Sequence, residues 1–357
     1  MMGPLRPPLK HIIFSGAGCR IHAHMGALQE LEAASPSPLI QTVTGLGGTS
    51  SGGFFAALCV LANLNVREVT ETMQRLRLDL FDLSLTAKNI QRCIYEFGMV
   101  QRDDAPVRAT LEATVVRYTG SSATTLAELA VIRPQLRLRL VTVDLFTGAR
   151  IILDAESAAE MKLTDALWAT MAIPWAMKPL RWGPWLLVDG GLVAHMAYDM
   201  FPQVPAGTTA NVSIYSPYAE STDEYINVLR RSFPSTASTT TSTTARGATV
   251  NADADATLTI HMAMFQCALM IPTAHMRLRQ SLPVLAQPGA IMAQVARFPM
   301  PIGFLETDAS PFARDATVRL GRQTMRDALS ASVLYFFIAR LLAFCDTRSR
   351  PFGQGVQ

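Results

Sequence analysis

Short apolar runs alternate with glycine turns and helix-like patterns over the first 65 residues. An apolar run at 10–15 and a second at 39–46 each predict a strand, and a glycine-rich turn follows each of them. Apolar residues recur at helical spacing over 23–34, and 54–64 is apolar enough for a buried helix. This order of strand, turn and helix, given twice, predicts a mainly parallel sheet with helices packed on it.

The same kind of pattern continues to about residue 218. Helical patterns occupy 66–118, and a further helix is predicted at 163–171, just before Pro174. Alternating or continuous apolar runs predict four more strands, at 136–144, 150–153, 185–188 and 211–215. We therefore expect a three-layer α/β domain over 10–218, preceded by an N-terminal tail at 1–9.

The composition changes sharply after this domain. Residues 232–255 are rich in Ser and Thr and have almost no bulky apolar side chain. Such a segment cannot bury enough surface to offset the entropy lost on ordering, so we predict a linker at 219–256. The remaining residues, 257–357, are predicted to form a helical region rich in Arg and Met.

Two apolar stretches of this C-terminal region, 258–271 and 333–345, are shorter than the roughly 20 residues that a membrane-spanning helix needs. Two interpretations remain open. The stretches complete the core of the α/β domain, or they lie on a lipid surface where nearby arginines meet anionic head groups. Those arginines are Arg277, Arg279, Arg322, Arg326, Arg340, Arg348 and Arg350.

Overall composition excludes several classes of protein. Of the 357 residues, 49% are hydrophobic and only 17% are charged, which excludes a mostly disordered chain or a coiled coil. A net charge of +3 is too small to indicate nucleic-acid binding. The five cysteines are scattered without CxxC spacing, which argues against a zinc site and fits reduced thiols. Because 1–10 also lacks the apolar segment of a signal peptide, we expect a cytoplasmic protein.

The segment Gly48-Thr49-Ser50-Ser51-Gly52 matches the G-x-S-x-G pattern of a nucleophile elbow, in which only Ser50 has glycines two positions before and after it. An elbow holds its serine in a strained backbone conformation between a strand and a helix, where flanking side chains would collide. Because the motif lies between a predicted strand and a predicted helix, we expect Ser50 to be a nucleophile. A plain glycine-rich turn with a solvated serine is the alternative.

The turn Ser15-Gly16-Ala17-Gly18-Cys19-Arg20 also joins a predicted strand to a predicted helix. Ile21 replaces the third glycine of a dinucleotide-binding G-x-G-x-x-G, and the Lys-Ser/Thr of a P-loop is missing. Successive N–H groups at such a turn can form an oxyanion hole. We therefore predict that this loop stabilises a developing negative oxygen and that Arg20 fixes the loop or stabilises charge. The predicted oxyanion loop comprises Gly16, Ala17, Gly18, Cys19 and Arg20.

A serine nucleophile needs a base, and none of the six histidines has an obvious position for that role. Asp189 follows an apolar strand and precedes Gly190-Gly191, where side chains gather at the carboxyl edge of a parallel sheet. An aspartate there could accept the serine proton directly and form a dyad. An ordinary Asp-Gly-Gly turn is the alternative.

Taken together, the motifs resemble the patatin-like phospholipase family. Three blocks of sequence carry the resemblance: the glycine turn with the following helix at 15–28, the elbow at 48–53, and Asp189-Gly190-Gly191. The segments 143–148 and 169–174 are more weakly similar to the family, and the resemblance covers about 10–218.

This resemblance implies a serine–aspartate acyl hydrolase that acts on phospholipids or neutral glycerolipids. By the same resemblance, Ser50 is the nucleophile, Asp189 is the base, and Gly16 and Gly18 belong to the oxyanion loop. The implied chemistry requires no metal or organic cofactor. A lipid substrate also implies peripheral contact with a membrane or a lipid droplet.

Three departures from the family pattern stand at the predicted site. Ala17 replaces a glycine, Ile21 replaces the glycine usual after the basic residue, and Val193-Ala194-His195-Met196 stands where the family tends to have Asn and Pro. Two other functions therefore remain open. One is an acyltransferase or thioesterase that uses the same dyad, and the other is a non-catalytic lipid- or protein-binding module.

Overall fold

A computed structural model describes residues 8–77, 104–173, 177–202, 208–213, 291–294 and 310–348. These residues form one sheet of eight strands, which are β1 (His11–Phe14), β2 (Gly45–Thr49), β3 (Arg137–Asp144), β4 (Arg150–Leu153), β5 (Leu180–Trp182), β6 (Trp185–Asp189), β7 (Thr209–Ser213) and β8 (Ile291–Gln294). The helices around it are α1 (His22–Ala34), α2 (Ser51–Leu61), α3 (Val66–Arg75), α4 (Ala105–Thr119), α5 (Leu126–Ile132), α6 (Leu163–Met171) and α7 (Pro311–Arg348). Short 3-10 helices occupy Gly18–Ile21, Leu39–Gln41 and Gly190–Leu192.

The sheet is mainly parallel, which confirms the predicted fold class. Its strand order is β5-β6-β3-β2-β1-β7-β8, and β4 pairs with β3 outside this path. In the run β3-β2-β1-β7-β8, each strand is parallel to its neighbours. In contrast, β4 and β6 run antiparallel to β3, and β5 runs antiparallel to β6. The parallel part places the carboxyl ends of β1 and β2 side by side, and the glycine turn and the elbow both begin there.

The centre of the core lies where α2 covers the parallel strands. Every residue of β2 is buried, and so is every residue of α2 after Ser51. A helix that is buried on all sides is apolar on all sides, which explains why 54–61 shows no polar face. The helix that begins at the elbow is therefore a fixed part of the core.

The predicted second strand was wrong in its position. Residues 39–41 form a 3-10 helix, and β2 begins only at Gly45 and continues through Gly47 and Gly48. These strand positions are glycines because another segment of the protein approaches the strand closely. A Cβ at Gly47 would lie 1.9 Å from the Sδ of Met200. Because Gly47 and Gly48 were taken for turn residues, the strand was predicted too close to the N-terminus.

Helix α7, from the C-terminal region, packs closely against α1. A Cβ at Gly26 of α1 would lie 2.0 Å from the carbonyl oxygen of Val318, and a Cβ at Gly321 of α7 would lie 2.0 Å from that of Ala23. Only glycine lets the two backbones approach so closely. The crossing therefore depends on one glycine from each helix.

An ion pair and apolar contacts reinforce this crossing. Arg326 donates from Nε and Nη2 to the two carboxylate oxygens of the buried Glu30, each at 3.0 Å, and the Nε of Arg322 lies 3.8 Å from Glu30. Met325 and Leu329 of α7 belong to the main hydrophobic core. Arg322 and Arg326 thus both lie close to the carboxylate of Glu30.

The N-terminal half of α7 also covers the glycine turn. Leu320 packs against Ala17 and Ala23, and Ala313 packs against Cys19. Together with the pairing of β8 to β7, these contacts support the core interpretation for this part of the C-terminal region. The predicted domain boundary at 218 stays a prediction, although the sheet takes a strand from beyond it.

The remaining C-terminal predictions are tested only in part. The apolar stretch 333–345 lies within the backbone of α7. The stretch 258–271 and the predicted linker at 219–256 lie outside the described residues. Within the described ranges, no helix is long and apolar enough to cross a membrane.

Candidate active site

Ser50 connects β2 to α2 in a strained backbone conformation, with φ at +57° and ψ at −133°. The two flanking glycines are required by close approach. A Cβ at Gly48 would lie 2.5 Å from the carbonyl of Gly52, and a Cβ at Gly52 would lie 2.1 Å from the carbonyl oxygen of Ser15. The segment thus has the sharp strand-to-helix turn of a nucleophile elbow.

Thr170 holds the backbone of this elbow in place. The Ser50 N–H donates to the Oγ1 of Thr170 at 3.0 Å, and that hydroxyl donates to the carbonyl oxygen of Val141 at 2.6 Å. Thr170 has no exposed surface, so no water is available to replace either bond. In the sequence, Thr170 stood out only as part of a segment similar to the family, and no role was predicted for it.

The side chains of Ser50 and Asp189 form a direct hydrogen bond. The hydroxyl of Ser50 donates to Oδ2 of Asp189 at 2.6 Å, and Oδ1 of Asp189 accepts the N–H of Gly191 at 2.6 Å. Both side chains belong to residues that are only 6% exposed. The Gly191 bond orients the carboxylate so that one oxygen is directed at the serine.

Asp189 reaches the site from a strand that runs against the parallel direction. Asp189 in β6 pairs with Thr142 of β3, and the neighbouring Val141 pairs with Thr49 at the end of β2. Asp189 was predicted to lie at the carboxyl end of a parallel strand. The predicted strand direction was wrong, because β6 is antiparallel to β3. Asp189 nevertheless lies beside Ser50, because β6 ends opposite the point where β2 ends.

The N–H groups of the predicted oxyanion loop are not all available. The Gly16 N–H donates to the carbonyl oxygen of His195 at 3.0 Å, and the Ala17 N–H donates to Oγ of Ser51 at 3.0 Å. Gly18 has a positive φ of +54°, and its N–H makes no hydrogen bond with any residue that the structure describes. Cys19 and Arg20 are buried in the 3-10 helix that follows.

The ring of His195 lies beside Gly16 and Ser50. A Cβ built at Gly16 would lie 3.0 Å from Nδ1 of His195 and 3.5 Å from Cβ of Ser50. His195 is 7% exposed, and its neighbour Ala194 accepts a hydrogen bond from the Thr49 hydroxyl at 2.9 Å. In the sequence, this segment stood out only as a departure from the family pattern, because no local pattern indicated that His195 lies beside Ser50.

Three other histidines have structural surroundings. His24 is fully buried, donates from Nε2 to the carbonyl oxygen of Ser15 at 2.9 Å, and has its ring edge-on to Phe14. Burial lowers the pKa of His24 to about 4. Burial, with a smaller effect from nearby cationic side chains, also lowers the pKa values of His11 and His22 to about 4. These three side chains are therefore uncharged at neutral pH.

Residues 12–202 match the sequence model of the patatin-like phospholipase family. The chain belongs to this family. The matched segment contains Ser50, Asp189 and the predicted oxyanion loop, and membership supports lipid acyl hydrolysis as the class of activity. Comparison with curated proteins gives no match.

Comparison with solved structures finds similar bacterial proteins. VipD from Legionella pneumophila has a TM-score of 0.54 at 12% identity, over 91% of this chain and 67% of VipD. The type III effector protein ExoU has a TM-score of 0.46 at 14% identity, over 92% of this chain and 54% of ExoU. In the ExoU-SpcU complex from Pseudomonas aeruginosa the TM-score is 0.36 at 14% identity, over 91% of this chain and 60% of the matched one. The chain thus spans little more than half of ExoU. At 12% identity, the likeness to VipD shows the fold alone.

Proposed function

We propose that this protein hydrolyses fatty-acyl esters of phospholipids or glycerolipids through a dyad of Ser50 and Asp189. The observation that carries the proposal is the 2.6 Å hydrogen bond from the Ser50 hydroxyl to Oδ2 of Asp189. A buried serine at a strained elbow, bonded directly to a carboxylate, matches the arrangement of an activated nucleophile.

The first half of the reaction forms an acyl-enzyme. The Oγ of Ser50 attacks the ester carbonyl while Asp189 accepts the hydroxyl proton, and the carbonyl oxygen becomes negative. Collapse of this tetrahedral intermediate breaks the bond to the alcohol. The proton on Asp189 then passes to the leaving alkoxide, so that a neutral alcohol departs.

The second half of the reaction releases the fatty acid. A water molecule loses a proton to Asp189 and attacks the acyl carbon, and Ser50 recovers its proton as the acid leaves. The bond from the Gly191 N–H to Oδ1 keeps Oδ2 directed at the reacting oxygen in both halves. This sequence of steps uses no metal ion and no organic cofactor.

The decisive experiment is covalent labelling with a fluorophosphonate probe, followed by peptide mapping. The full chain should be labelled at Ser50 and should hydrolyse a p-nitrophenyl ester and a phospholipid. Ser50→Ala should lose both labelling and hydrolysis. Ser51→Ala removes the hydroxyl that accepts the Ala17 N–H but keeps the nucleophile and the base, so it should still be labelled. A folded wild-type chain without labelling and without hydrolysis would contradict the proposal and favour a binding module.

Asp189→Asn tests the base. The amide can hold the Gly191 N–H in place but cannot accept a proton, so hydrolysis should fall nearly as far as in Ser50→Ala. Full activity in a folded Asp189→Asn variant would exclude the dyad. Labelling that is accompanied by acyl transfer to an added alcohol or thiol, without release of free fatty acid, would instead favour an acyltransferase.

We also propose a cytoplasmic location with peripheral contact to a membrane or lipid droplet, because the substrate stays in a lipid phase. Sedimentation of the full-length Ser50→Ala protein with anionic liposomes tests this contact without hydrolysing the lipid. Absence of binding at low and at physiological salt would contradict it.

A further inference from the structure

His195 is held firmly at the site by its backbone. Its carbonyl oxygen accepts the Gly16 N–H at 3.0 Å, so the segment around it is bonded to the predicted oxyanion loop. The preceding carbonyl, of Ala194, accepts the Thr49 hydroxyl at 2.9 Å, so the same segment is also bonded to the residue before Ser50. These two bonds fix the histidine between the loop and the elbow.

The imidazole ring occupies space that Gly16 leaves open. A Cβ at Gly16 would lie 3.0 Å from Nδ1 and 3.2 Å from Cε1 of His195, and 3.5 Å from Cβ of Ser50. Nδ1 of His195 and Cβ of Ser50 therefore both lie within 3.5 Å of one point, the position that a side chain at Gly16 would occupy. An acyl group on Ser50 would have its carbonyl oxygen within a few ångströms of this point.

The loop by itself offers few donors to that oxygen. The N–H groups of Gly16, Ala17 and Arg20 are already bonded within the protein, and the Gly18 N–H makes no bond with any described residue. An oxyanion hole works by aiming preorganised donors at the oxygen that becomes negative, and such donors include histidine side chains as well as N–H groups. A second donor near Gly16 would complete the set.

We propose that His195 completes the oxyanion hole by donating a hydrogen bond from Nδ1 to the oxygen that becomes negative when Ser50 attacks. This inference rests on the proposed function. The ring donates a hydrogen bond without transferring its proton, so Asp189 keeps its role as base and the atoms of the reaction balance as before. The proposal requires the tautomer that carries hydrogen on Nδ1.

The test compares three replacements of His195 by kcat and KM on a short-chain p-nitrophenyl ester. His195→Asn places an amide N–H close to the position of Nδ1, His195→Gln places one farther out, near Nε2, and His195→Leu has none. Loss of one oxyanion donor lowers kcat about 100- to 1000-fold. We expect that loss in His195→Leu and His195→Gln with little change in KM, because the bond strengthens only in the transition state. His195→Asn should stay within about tenfold of wild type, a range that one partly misplaced hydrogen bond allows.

Two matched measurements separate this role from packing. The affinity for a trifluoromethyl ketone, which forms a tetrahedral oxyanion adduct on serine, should fall in parallel with kcat. His11→Asn is the control, because His11 lies at the opposite end of β1 from the site and its ring stacks on Phe201 at 4.3 Å. It should keep wild-type kcat and inhibitor affinity.

The outcomes are distinct. Wild-type kcat in His195→Leu overturns the inference, and so does an equal loss in the Asn and Leu variants. Retention by Gln rather than Asn excludes Nδ1 as the donor. If His195→Leu does not fold, the comparison of Asn with Gln still decides. A wild-type chain that neither hydrolyses the ester nor reacts with fluorophosphonate would refute the proposed function itself, whereas an active wild type with unaffected His195 variants refutes only this inference.

Discussion

Replacing Thr170 with valine should destabilise the fold and loosen the backbone of Ser50, the proposed nucleophile. Valine has nearly the shape of threonine but lacks the hydroxyl that accepts the Ser50 N–H and donates to the carbonyl oxygen of Val141. Thr170 is completely buried, so both backbone groups would be left without a partner. Thr170→Val therefore isolates the contribution of one hydroxyl to the elbow.

The expected magnitude follows from the groups left unpaired. Each buried polar group without a partner costs about 1–3 kcal/mol, and two such groups give a loss of about 2–4 kcal/mol once some relaxation is allowed. The positive φ of Ser50 adds strain of about 1–3 kcal/mol that the surroundings must already offset. With its N–H released, Ser50 should leave the elbow conformation more often, and labelling by fluorophosphonate should slow.

The assay combines urea unfolding with the rate of fluorophosphonate labelling. Thr170→Ser is the matched control, because it keeps the hydroxyl and loses only one buried methyl group, at a cost of about 1 kcal/mol. It should label at close to the wild-type rate. Wild-type stability and labelling in Thr170→Val would refute the reasoning, and so would a Thr170→Ser variant that is as impaired as Thr170→Val.

Two further predictions concern the stability of the whole fold. Gly321→Ala should destabilise the protein by more than 2 kcal/mol in urea unfolding, since its Cβ would lie 2.0 Å from the carbonyl oxygen of Ala23, whereas Ser330→Ala on the exposed surface of α7 should change stability by less than about 0.5 kcal/mol. Similar stabilities of these two variants would contradict the close helix crossing. Stability should also fall as the pH drops from about 6.5 to about 4, because the pKa values of His11, His22 and His24 are lowered in the folded state and the unfolded chain therefore binds protons first. The fully buried His24 alone accounts for about 3 kcal/mol over this range, and a free energy of unfolding that stays constant between pH 7 and 4.5 would disprove its desolvation.

The sequence was sufficient to predict the features that depend on local pattern. The apolar runs predicted β1, β3 and β6, and the glycines two positions from Ser50 predicted its turn. These predictions succeed because the pleat of a strand and the crowding of an elbow constrain residues a few positions apart. Asp189 was identified through the Gly-Gly that follows it, although its strand runs opposite to the expected direction.

The features that were missed depend on approaches between distant segments. Position 47 of β2 is a glycine because Met200 packs over it, and position 26 of α1 is a glycine because α7 approaches it. Thr170 and His195 likewise acquire their positions from residues more than 100 positions away. The periodicity of a single sequence does not indicate such contacts, so the positions of Thr170 and His195 beside Ser50 could not be predicted.

The crossing of α1 and α7 has a consequence for the order in which the protein folds. Glu30 and Arg326 are separated by 296 positions, so α1 leaves the ribosome long before its partner helix is synthesised. Contacts at such separations form late, because closing a long loop costs entropy before the contact stabilises it. Ala17 and Cys19 receive their cover from the same late helix, through Leu320 and Ala313. A nascent chain therefore completes the packing of its predicted oxyanion loop last, so the hydrolysis proposed for this protein should begin on the ribosome only after α7 has emerged.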